Sequence, residues 1–136
     1  MPHAFTDSYQ ASRLNTMKNT THPAAFATAY LALYSIMPAS DGTGGTEVTG
    51  TRSSITFGSV AKDFSGRSAM SNSSAVSSIT LANTSAATIV GFAICSASTA
   101  GTIEYMGPLY PFNVAALATI TIPIGAIVVY SEGTPH

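Results

Sequence analysis

The amino-acid sequence predicts an all-β protein: a single antiparallel β-sandwich, jelly-roll-like, preceded by a short N-terminal helix or arm. Two observations carry this prediction. Short runs rich in β-branched and aromatic residues recur after Pro23 and are separated by turn-forming residues, which is the pattern of all-β sandwiches. The one helical pattern lies before Pro23. We therefore divide the chain into an N-terminal arm or helix, residues 1–23, and a β-sandwich domain, residues 24–136.

The N-terminal helix is predicted over Asp7 to Lys18. Thr6 or Asp7 is a suitable N-cap for it. The sequence Asn-Thr-Thr-His-Pro then ends the helix, because Pro23 disfavours the helical conformation at His22. Apolar residues fall roughly on one side of this segment and are candidates for contact with a partner: Phe5, Tyr9, Leu14 and Met17.

Eight strands are predicted after Pro23: Phe26 to Ser35, Ser53 to Phe57, Arg67 to Ser71, Ser78 to Leu81, Thr88 to Cys95, Thr102 to Met106, Leu117 to Ile122, and Ile127 to Tyr130. The first is apolar on both faces, since Tyr30 and Tyr34 alternate with Leu31 and Leu33. We expect it to lie between two layers. Several later strands alternate apolar with hydroxyl residues, which predicts one buried face and one solvent face.

The segment from Pro38 to Thr51 is a long loop with four glycines. Such a loop is either mobile or held by a partner. Asp41 and Glu47 are the carboxylates that a Ca²⁺ ion would need there, but the EF-hand pattern is absent. An ordinary turn is the simpler interpretation, so we predict no metal and no cofactor. Asp41, Glu47 and Arg52 remain candidates for a contact surface.

Composition excludes several classes of protein. Only 8% of the residues are charged and the net charge is −1, against about 25% charged residues in a typical soluble domain. The five basic residues are scattered singly, so no basic patch is predicted and nucleic acid is not expected as a partner. No apolar run approaches the roughly 18 to 20 residues of a membrane span. The first residues lack the pattern of a signal peptide, which predicts synthesis and assembly in a host cytoplasm.

Catalytic patterns are also missing. Ser59 and Lys62 match S-x-x-K, but the S-D-N and K-T-G elements of penicillin-binding enzymes do not occur. The three histidines have no metal-binding spacing. Cys95 is a single cysteine on an apolar strand, on the face shared with Ile89, Gly91 and Ala93, where a buried thiol behaving as a small hydrophobe is expected. We predict that the protein is not an enzyme, with a small hydrolase using Ser59 and Lys62 as the alternative.

A family resemblance emerges from the order of these segments. A helix-like stretch, then YLALYSIMP, the loop DGTGGTEVTGT and SSITFG, resembles a family of small tailed-phage virion proteins. Members are usually labelled tail fibre proteins, and in some phages capsid decoration proteins. The resemblance continues through TIVGFAICSASTAGTIEYMGPL and ITIPIGAIVVY. One departure is TRSSITF, which lacks the aromatic residue that relatives carry before the arginine. The resemblance implies a structural role in a virion.

Two hypotheses about that role follow. The first is a decoration or cement protein on the capsid exterior, with the major capsid protein and copies of itself, as a trimer or other symmetric oligomer, for partners. Residues 1–23 would then be the docking arm, and their deletion would leave a folded domain that no longer binds. The second is a tail-fibre or tail-tip module that contacts tail proteins or host surface glycans through Asp41 to Thr51 and exposed tyrosines. Five tyrosines on strands are expected to serve the core or the layers of the sandwich more often than a ligand stack, with a sugar-binding shelf as the alternative: Tyr30, Tyr34, Tyr105, Tyr110 and Tyr130.

Overall fold

A computed structural model describes residues 4–7, 9–11, 14, 28–63 and 66–130. Within these ranges the chain forms eleven strands: β1 (Ala4–Phe5), β2 (Ala29–Ile36), β3 (Thr46–Glu47), β4 (Ser53–Ile55), β5 (Ala61–Lys62), β6 (Ser68–Ser71), β7 (Val76–Thr80), β8 (Ala87–Cys95), β9 (Ile103–Val114), β10 (Thr119–Ile122) and β11 (Val128–Tyr130). The all-β prediction is confirmed.

The strands build two packed layers. One layer is a sheet in the order β1-β9-β8-β2-β3, with β4 also paired to β2. The other contains the pair β10-β7 and the three-stranded sheet β11-β6-β5. Every strand pair in the described chain is antiparallel. The predicted antiparallel sandwich is therefore confirmed, and the long strands β2, β8 and β9 form its most extensive sheet.

The main core lies between the layers. Leu31, Leu33 and Phe92 of the large sheet pack in one cluster with Ile79 and Ile127 of the opposite layer, and all five are fully buried. At roughly 1.5 to 3 kcal/mol for each large apolar side chain, this cluster is a main source of stability. A hydrogen bond between the layers adds to this stability, since the Tyr130 backbone N–H donates to the Tyr105 hydroxyl at 3.2 Å.

Strand β2 is buried on both faces, as its sequence predicted. Leu31 and Leu33 face the main core, while Ala32 and Tyr34 join a second cluster on the other side of the sheet. The second cluster also contains Ala93, Cys95 and Met106. An extended chain with apolar residues at every position can do this only when both of its faces are covered.

Strand β8 corrects one expectation about side-chain direction. Strict alternation predicts that Ile89 shares a face with Ala93 and Cys95, but Ile89 lies in the main core with Phe92. The pairing of β8 with β9 changes register between Ile89 and Gly91. Such an irregularity reverses the parity of the side chains on either side of it. The cysteine thus remains buried, but on the opposite side of the sheet from Ile89.

Strand β9 is longer than the predicted Thr102 to Met106, because it continues through Pro108 and Pro111 to Val114. Proline within a sequence pattern normally ends a predicted strand. Among the described residues, β1 pairs with β9 at Tyr105 and Met106, and no described strand pairs with the rest of β9 on the side away from β8, where prolines are tolerated. The short strands β1, β3 and β5 were not predicted, since two residues carry too little pattern.

The N-terminal segment contains both helix and strand. Asp7, Tyr9 to Ala11 and Leu14 are helical, and the Thr6 hydroxyl accepts the Tyr9 backbone N–H at 3.5 Å. Thr6 is thus the N-cap proposed from the sequence. The remaining predicted helical residues, the boundary at His22 and Pro23, and Phe26 with Ala27 lie outside the described residues. The division at residue 23 stays a prediction, although strand β1 belongs to the large sheet.

Candidate interaction site around the glycine-rich loop

Three segments that are distant in sequence meet at one corner of the sandwich: the N-terminal segment, the glycine-rich loop, and the tip of the β8–β9 hairpin. The Thr6 backbone N–H donates to the Glu104 carbonyl at 3.1 Å, and the Asp7 N–H donates to the Ser40 carbonyl at 3.2 Å. The Ser40 hydroxyl in turn donates to the Asp7 carboxylate at 3.4 Å. The arm and the loop, which were separate candidates in the sequence, therefore lie side by side.

An ion pair between Arg52 and Glu47 closes the base of the loop. The Nε and one terminal nitrogen of Arg52 donate to the two carboxylate oxygens of Glu47 at 2.9 and 2.8 Å. The Thr49 hydroxyl donates to the same carboxylate. The Arg52 side chain is only 9% exposed, and its bonds to Glu47 raise its already high pKa. Such a bidentate geometry is the strong form of a salt bridge.

The remaining terminal nitrogen of Arg52 holds the hairpin tip. It donates to the carbonyls of Ala97 and Ala100 at 3.2 and 2.5 Å, while the Arg52 backbone N–H donates to the Ser98 carbonyl at 3.1 Å. One guanidinium thus fastens the loop and the hairpin together. The donors of Arg52 are already bonded to groups of the same chain. Arg52 therefore stabilises the shape of this corner and does not act as a free positive charge for a partner.

Asp41 organises the tip of the glycine-rich loop. Its carboxylate accepts the backbone N–H of Thr43 at 3.0 Å and the Thr43 hydroxyl at 2.6 Å. These bonds lower the pKa of Asp41 below its ordinary value. The residue is exposed and forms a local Asx-type turn. Among the described residues, no group of three or more His, Cys, Asp or Glu side chains is placed to hold a metal ion.

A cleft opens between the loop and the hairpin tip. Its volume is about 360 Å³, and its lining consists of Tyr34, Asp41, Gly42, Arg52, Ala100, Gly101, Thr102 and Ile103. Burial raises the pKa of Tyr34 to about 12, so its hydroxyl stays protonated at neutral pH. The cleft combines a carboxylate, a phenol and backbone groups in a small concave surface, which suits a hydrogen-bonding partner segment.

The four N-terminal candidates differ in exposure. Phe5 is half-buried, and its ring stacks on Tyr9 at 4.6 Å and meets Tyr105 edge-on at 5.0 Å. Leu14 is 63% exposed. Met17 lies outside the described residues. The structure therefore places Phe5 and Tyr9 against the sandwich and presents Leu14 to solvent, and the interface role of all four stays a prediction.

The tyrosines considered for a sugar-binding shelf do not share one surface. Tyr34 and Tyr105 are buried, whereas Tyr30 and Tyr130 are half-buried. The Arg67 guanidinium lies over the Tyr130 ring at 3.8 Å from its centroid. Tyr110 is 93% exposed. The expectation that most of these residues serve the layers of the sandwich agrees with the positions of Tyr34 and Tyr105.

Asn72 is a buried residue whose role sequence reasoning missed. Its amide nitrogen donates to the carbonyls of Ser74 and Pro123 at 2.9 and 3.0 Å, and its amide oxygen accepts the Ile127 N–H at 3.0 Å. A buried amide with all these bonds fixes three chain segments at once. In the sequence it is part of an ordinary Asn-Ser-Ser run, which gives no sign of burial.

Asn83 has a related position at the other end of β7. Its amide nitrogen donates to the carbonyls of Ser85 and Ala115 at 2.7 and 3.2 Å. Its buried amide oxygen has no donor within the described chain. The residue thus joins the loop after β7 to the turn before β10, with one acceptor unused.

The residues considered for catalysis show no activated arrangement. Cys95 is fully buried, and burial raises its pKa to about 11, as expected of a thiol that acts as a small hydrophobe. Ser59 and Lys62 border a shallow cleft and are both exposed. The burial by which enzymes activate a lysine is missing there. No helix in the described ranges is long and apolar enough to cross a membrane.

The described residues form an all-β sandwich with a corner at which the N-terminal segment, the glycine-rich loop and the β8–β9 hairpin are joined by hydrogen bonds. A model of the family described as "Podophage GP4 fiber I protein gp80" matches residues 4–130. The chain belongs to this family, so it is a bacteriophage virion structural protein, as the sequence resemblance implied. None of the curated proteins compared with the chain matches it.

Proposed function

We propose that this chain is a subunit of a phage fibre, a compact sandwich that joins neighbouring virion proteins through its surface. The observation that carries the proposal is the match to the fiber I family over residues 4–130, which include all eleven described strands. The whole sandwich, and not one shared motif, is therefore the unit that the family has in common.

The surface chemistry supports an assembly role. With 8% charged residues, the protein offers neighbours a surface rich in hydroxyl and small apolar groups. Few charged side chains lose their hydration when such a surface is buried, and the desolvation of ions is the largest cost of a polar interface. Weak contacts of this kind become strong when symmetry repeats them.

A fibre built from this chain requires several copies or additional proteins. The described residues form one sandwich, and the sequence has no heptads, no Gly-X-Y period and no internal repeat. Length must therefore come from stacking of subunits. We place the first contacts at the corner formed by the glycine-rich loop, with tail proteins, host surface glycans and copies of the chain as the partners.

Capsid decoration is the second candidate function. The compact, single-sandwich architecture supports it, because a module that sits on a shell needs no shaft. The two functions differ in stoichiometry and in position on the particle. A decoration protein would have hundreds of copies in simple ratio to the major capsid protein, whereas a fibre subunit would have a few to a few dozen.

Two measurements on purified virions separate these functions. Quantitative mass spectrometry gives the copy number relative to the major capsid protein, and immunogold labelling with an antibody against the folded chain gives the position. We expect a low copy number and label confined to the tail region. Hundreds of copies with label over the head would replace the fibre assignment with decoration, and absence from virions would reject both.

A further inference from the structure

The glycine-rich loop contains a dipeptide, Asp41-Gly42, whose two residues can react with each other without an enzyme. The Gly42 backbone nitrogen attacks the side-chain carboxyl carbon of Asp41 and loses its proton, while one carboxyl oxygen leaves as water and a five-membered succinimide ring closes. A water molecule then opens the ring at either carbonyl. One opening returns aspartate, and the other gives isoaspartate, in which the main chain runs through the side-chain carbon. The water lost in the first step is regained in the second, so the mass does not change.

The sequence and the turn together make this dipeptide distinct. Asp41 is the one Asp or Asn residue of the chain that is followed by glycine. Glycine has no side chain that hinders attack by its nitrogen. The turn also needs glycine at this position, because Gly42 has a φ of +84°, where a residue with a Cβ atom is strained. The fold of the loop therefore requires the same glycine that makes Asp41 reactive.

The folded loop opposes the reaction at the carboxyl group. One carboxylate oxygen of Asp41 accepts the Thr43 hydroxyl at 2.6 Å and the Thr43 backbone N–H at 3.0 Å. Two bonds to one oxygen fix the orientation of the carboxylate and oppose its movement towards the Gly42 nitrogen. The bonds from Thr43, the hydroxyl bond first, also lower the pKa of Asp41. The ionised carboxylate is thereby favoured, and it loses an oxygen as water less readily than a protonated carboxyl group does.

The loop also opposes the reaction at the nitrogen. The Gly42 N–H donates to the Ala39 carbonyl at 2.9 Å, and the Ala39 N–H donates to the Thr43 carbonyl at 2.9 Å. The nitrogen must lose its proton to form the ring, and a hydrogen-bonded N–H gives up its proton less readily. The ring includes the bond between the Cα atom and the carbonyl carbon of Asp41, so its closure also changes a torsion that the turn from Ala39 to Gly42 fixes. Ring closure is therefore coupled to opening of the loop.

Isoaspartate at position 41 would alter the corner at which we place the subunit contacts. It inserts one extra carbon into the main chain between Ser40 and Gly42. The Ser40 carbonyl accepts the Asp7 N–H at 3.2 Å, and the Ser40 hydroxyl donates to the Asp7 carboxylate at 3.4 Å. The extra carbon shifts Ser40 relative to Thr43, so the bonds on the two sides of position 41 cannot all be kept. The N-terminal segment then loses its attachment to the loop.

We infer that Asp41 is a site of isoaspartate formation and that the bonds of the folded loop, from Thr43 to its carboxylate and from Gly42 to Ala39, keep the reaction slow. Water is the only co-reactant, and opening of the loop accelerates the reaction. This inference goes beyond the proposed function, because it concerns how long the corner keeps its structure. It does not depend on where the protein lies in the virion.

The first test compares the folded with the unfolded chain. The full-length protein is incubated at neutral pH and body temperature, once in buffer and once in guanidinium chloride at a concentration that unfolds it. A protein isoaspartyl methyltransferase measures the amount of isoaspartate, and electron-transfer fragmentation in mass spectrometry, which distinguishes these isomers of equal mass, assigns it to position 41. We expect the folded protein to react at least about tenfold more slowly, since breaking a hydrogen bond to a charged group changes a rate by about that factor.

The second test removes one bond from the loop. Thr43→Val keeps the branched shape of the side chain and the backbone N–H but removes the hydroxyl donor to Asp41. We expect isoaspartate at position 41 to form about tenfold faster than in the unmodified protein. The matched control is Thr46→Val, the same substitution at a residue of β3, for which no change in rate is expected. Urea titration of both variants establishes that a faster reaction reflects the loop and not global unfolding.

Any of three results would overturn the inference. They are equal rates in the folded and the unfolded chain, equal rates in the Thr43→Val and Thr46→Val variants, and no isoaspartate at position 41 even in the unfolded chain. Each of these results leaves the fibre assignment standing, because copy number and immunogold position in virions are measured independently. A chain that is found on the capsid can likewise still show the protected dipeptide.

Discussion

Asn72 and Asn83 form equivalent hydrogen bonds at opposite ends of strand β7. In both residues the side-chain amide donates to the carbonyl two positions ahead. In both, the backbone carbonyl accepts an N–H from a turn residue with positive φ, Gly125 in one case at 3.1 Å and Leu117 in the other at 3.0 Å. The turns before and after β10 are thus held by the same pair of hydrogen bonds from an asparagine.

The two asparagines differ in one bond, which predicts unequal effects on stability. Asn72→Ala leaves the buried Ile127 N–H without its acceptor and removes one of the two donors to the Pro123 carbonyl, which also accepts the Ala126 N–H, so we expect a loss of about 2 to 4 kcal/mol in the free energy of unfolding. Asn83→Ala removes bonds at an exposed site and an oxygen that has no donor, so about 1 kcal/mol is expected. Urea titration measures both. Equal losses would contradict this interpretation of the missing bond.

Arg52→Lys tests the fastening of the loop to the hairpin. Lysine provides a point charge and cannot bond both Glu47 oxygens and the carbonyls of Ala97 and Ala100 together. We expect a loss of about 1 to 3 kcal/mol in urea titration. The matched control is Lys62→Ala at an exposed position, for which no measurable change is expected. A double-mutant cycle with Glu47→Gln gives the coupling between the two residues, and zero coupling would show that the ion pair is unimportant.

Gly44 and Gly45 provide a matched pair within the loop. Both have φ of +77°, so alanine suffers the same backbone strain at either position. A Cβ atom at Gly45 would lie 2.7 Å from the Ile36 carbonyl oxygen and 2.7 Å from the Pro38 nitrogen, whereas at Gly44 nothing lies within 4 Å. We expect Gly44→Ala to cost about 1 kcal/mol and Gly45→Ala clearly more. Equal melting temperatures for the two variants would refute the predicted clash.

Alkaline pH is expected to destabilise the protein through Cys95. Its pKa is about 11 in the folded chain against an ordinary value of 9.0, so the unfolded chain releases this proton at lower pH. The stabilising effect is complete below pH 9 and is lost as the pH rises towards 11, and Tyr34 acts in the same direction. Urea titrations between about pH 8 and about pH 10.5 measure the decline. Cys95→Ala should lessen it; an unchanged decline would assign it to other groups.

Phe5→Ala tests whether the N-terminal segment is part of the sandwich. The ring contacts Tyr9 and Tyr105, so its removal is expected to cost about 1 to 3 kcal/mol. Leu14→Ala, at a position that is 63% exposed, serves as the control and should have little effect on the folded monomer. A Phe5→Ala variant with unchanged stability would support an independent arm ending at residue 23.

The sequence predicted the architecture better than the details of the site. Alternation in β2 and β8 was sufficient to predict a sandwich with a strand buried on both faces, because burial follows directly from that pattern. It could not predict the register shift at Ile89, the continuation of β9 past Pro108, or the pairing of β1. These depend on which strand lies at an edge and on the partner of each residue, and both are properties of the tertiary fold.

In the candidate site, too, the sequence predicted the residues better than their contacts. Asp41, Glu47 and Arg52 were identified from one polar loop, but the bonds from Arg52 to Ala97 and Ala100 join residues 45 and 48 positions apart. No local pattern encodes such contacts. Asn72 was overlooked because Ser and Thr are abundant in this chain, so an asparagine among serines has no pattern that marks it as structurally important.

The two prolines of β9 also affect how copies of the protein meet in a crowded cell. An open strand edge is a template onto which another chain can add by backbone pairing, and such growth leads to irreversible aggregation. In the described part of the chain β9 has no partner beyond Met106 on the side away from β8, and Pro108 and Pro111 leave this stretch with two fewer backbone donors. Copies that meet along this strand therefore associate mainly through their side chains, and such encounters are reversible. An incorrectly placed subunit can then dissociate before assembly continues.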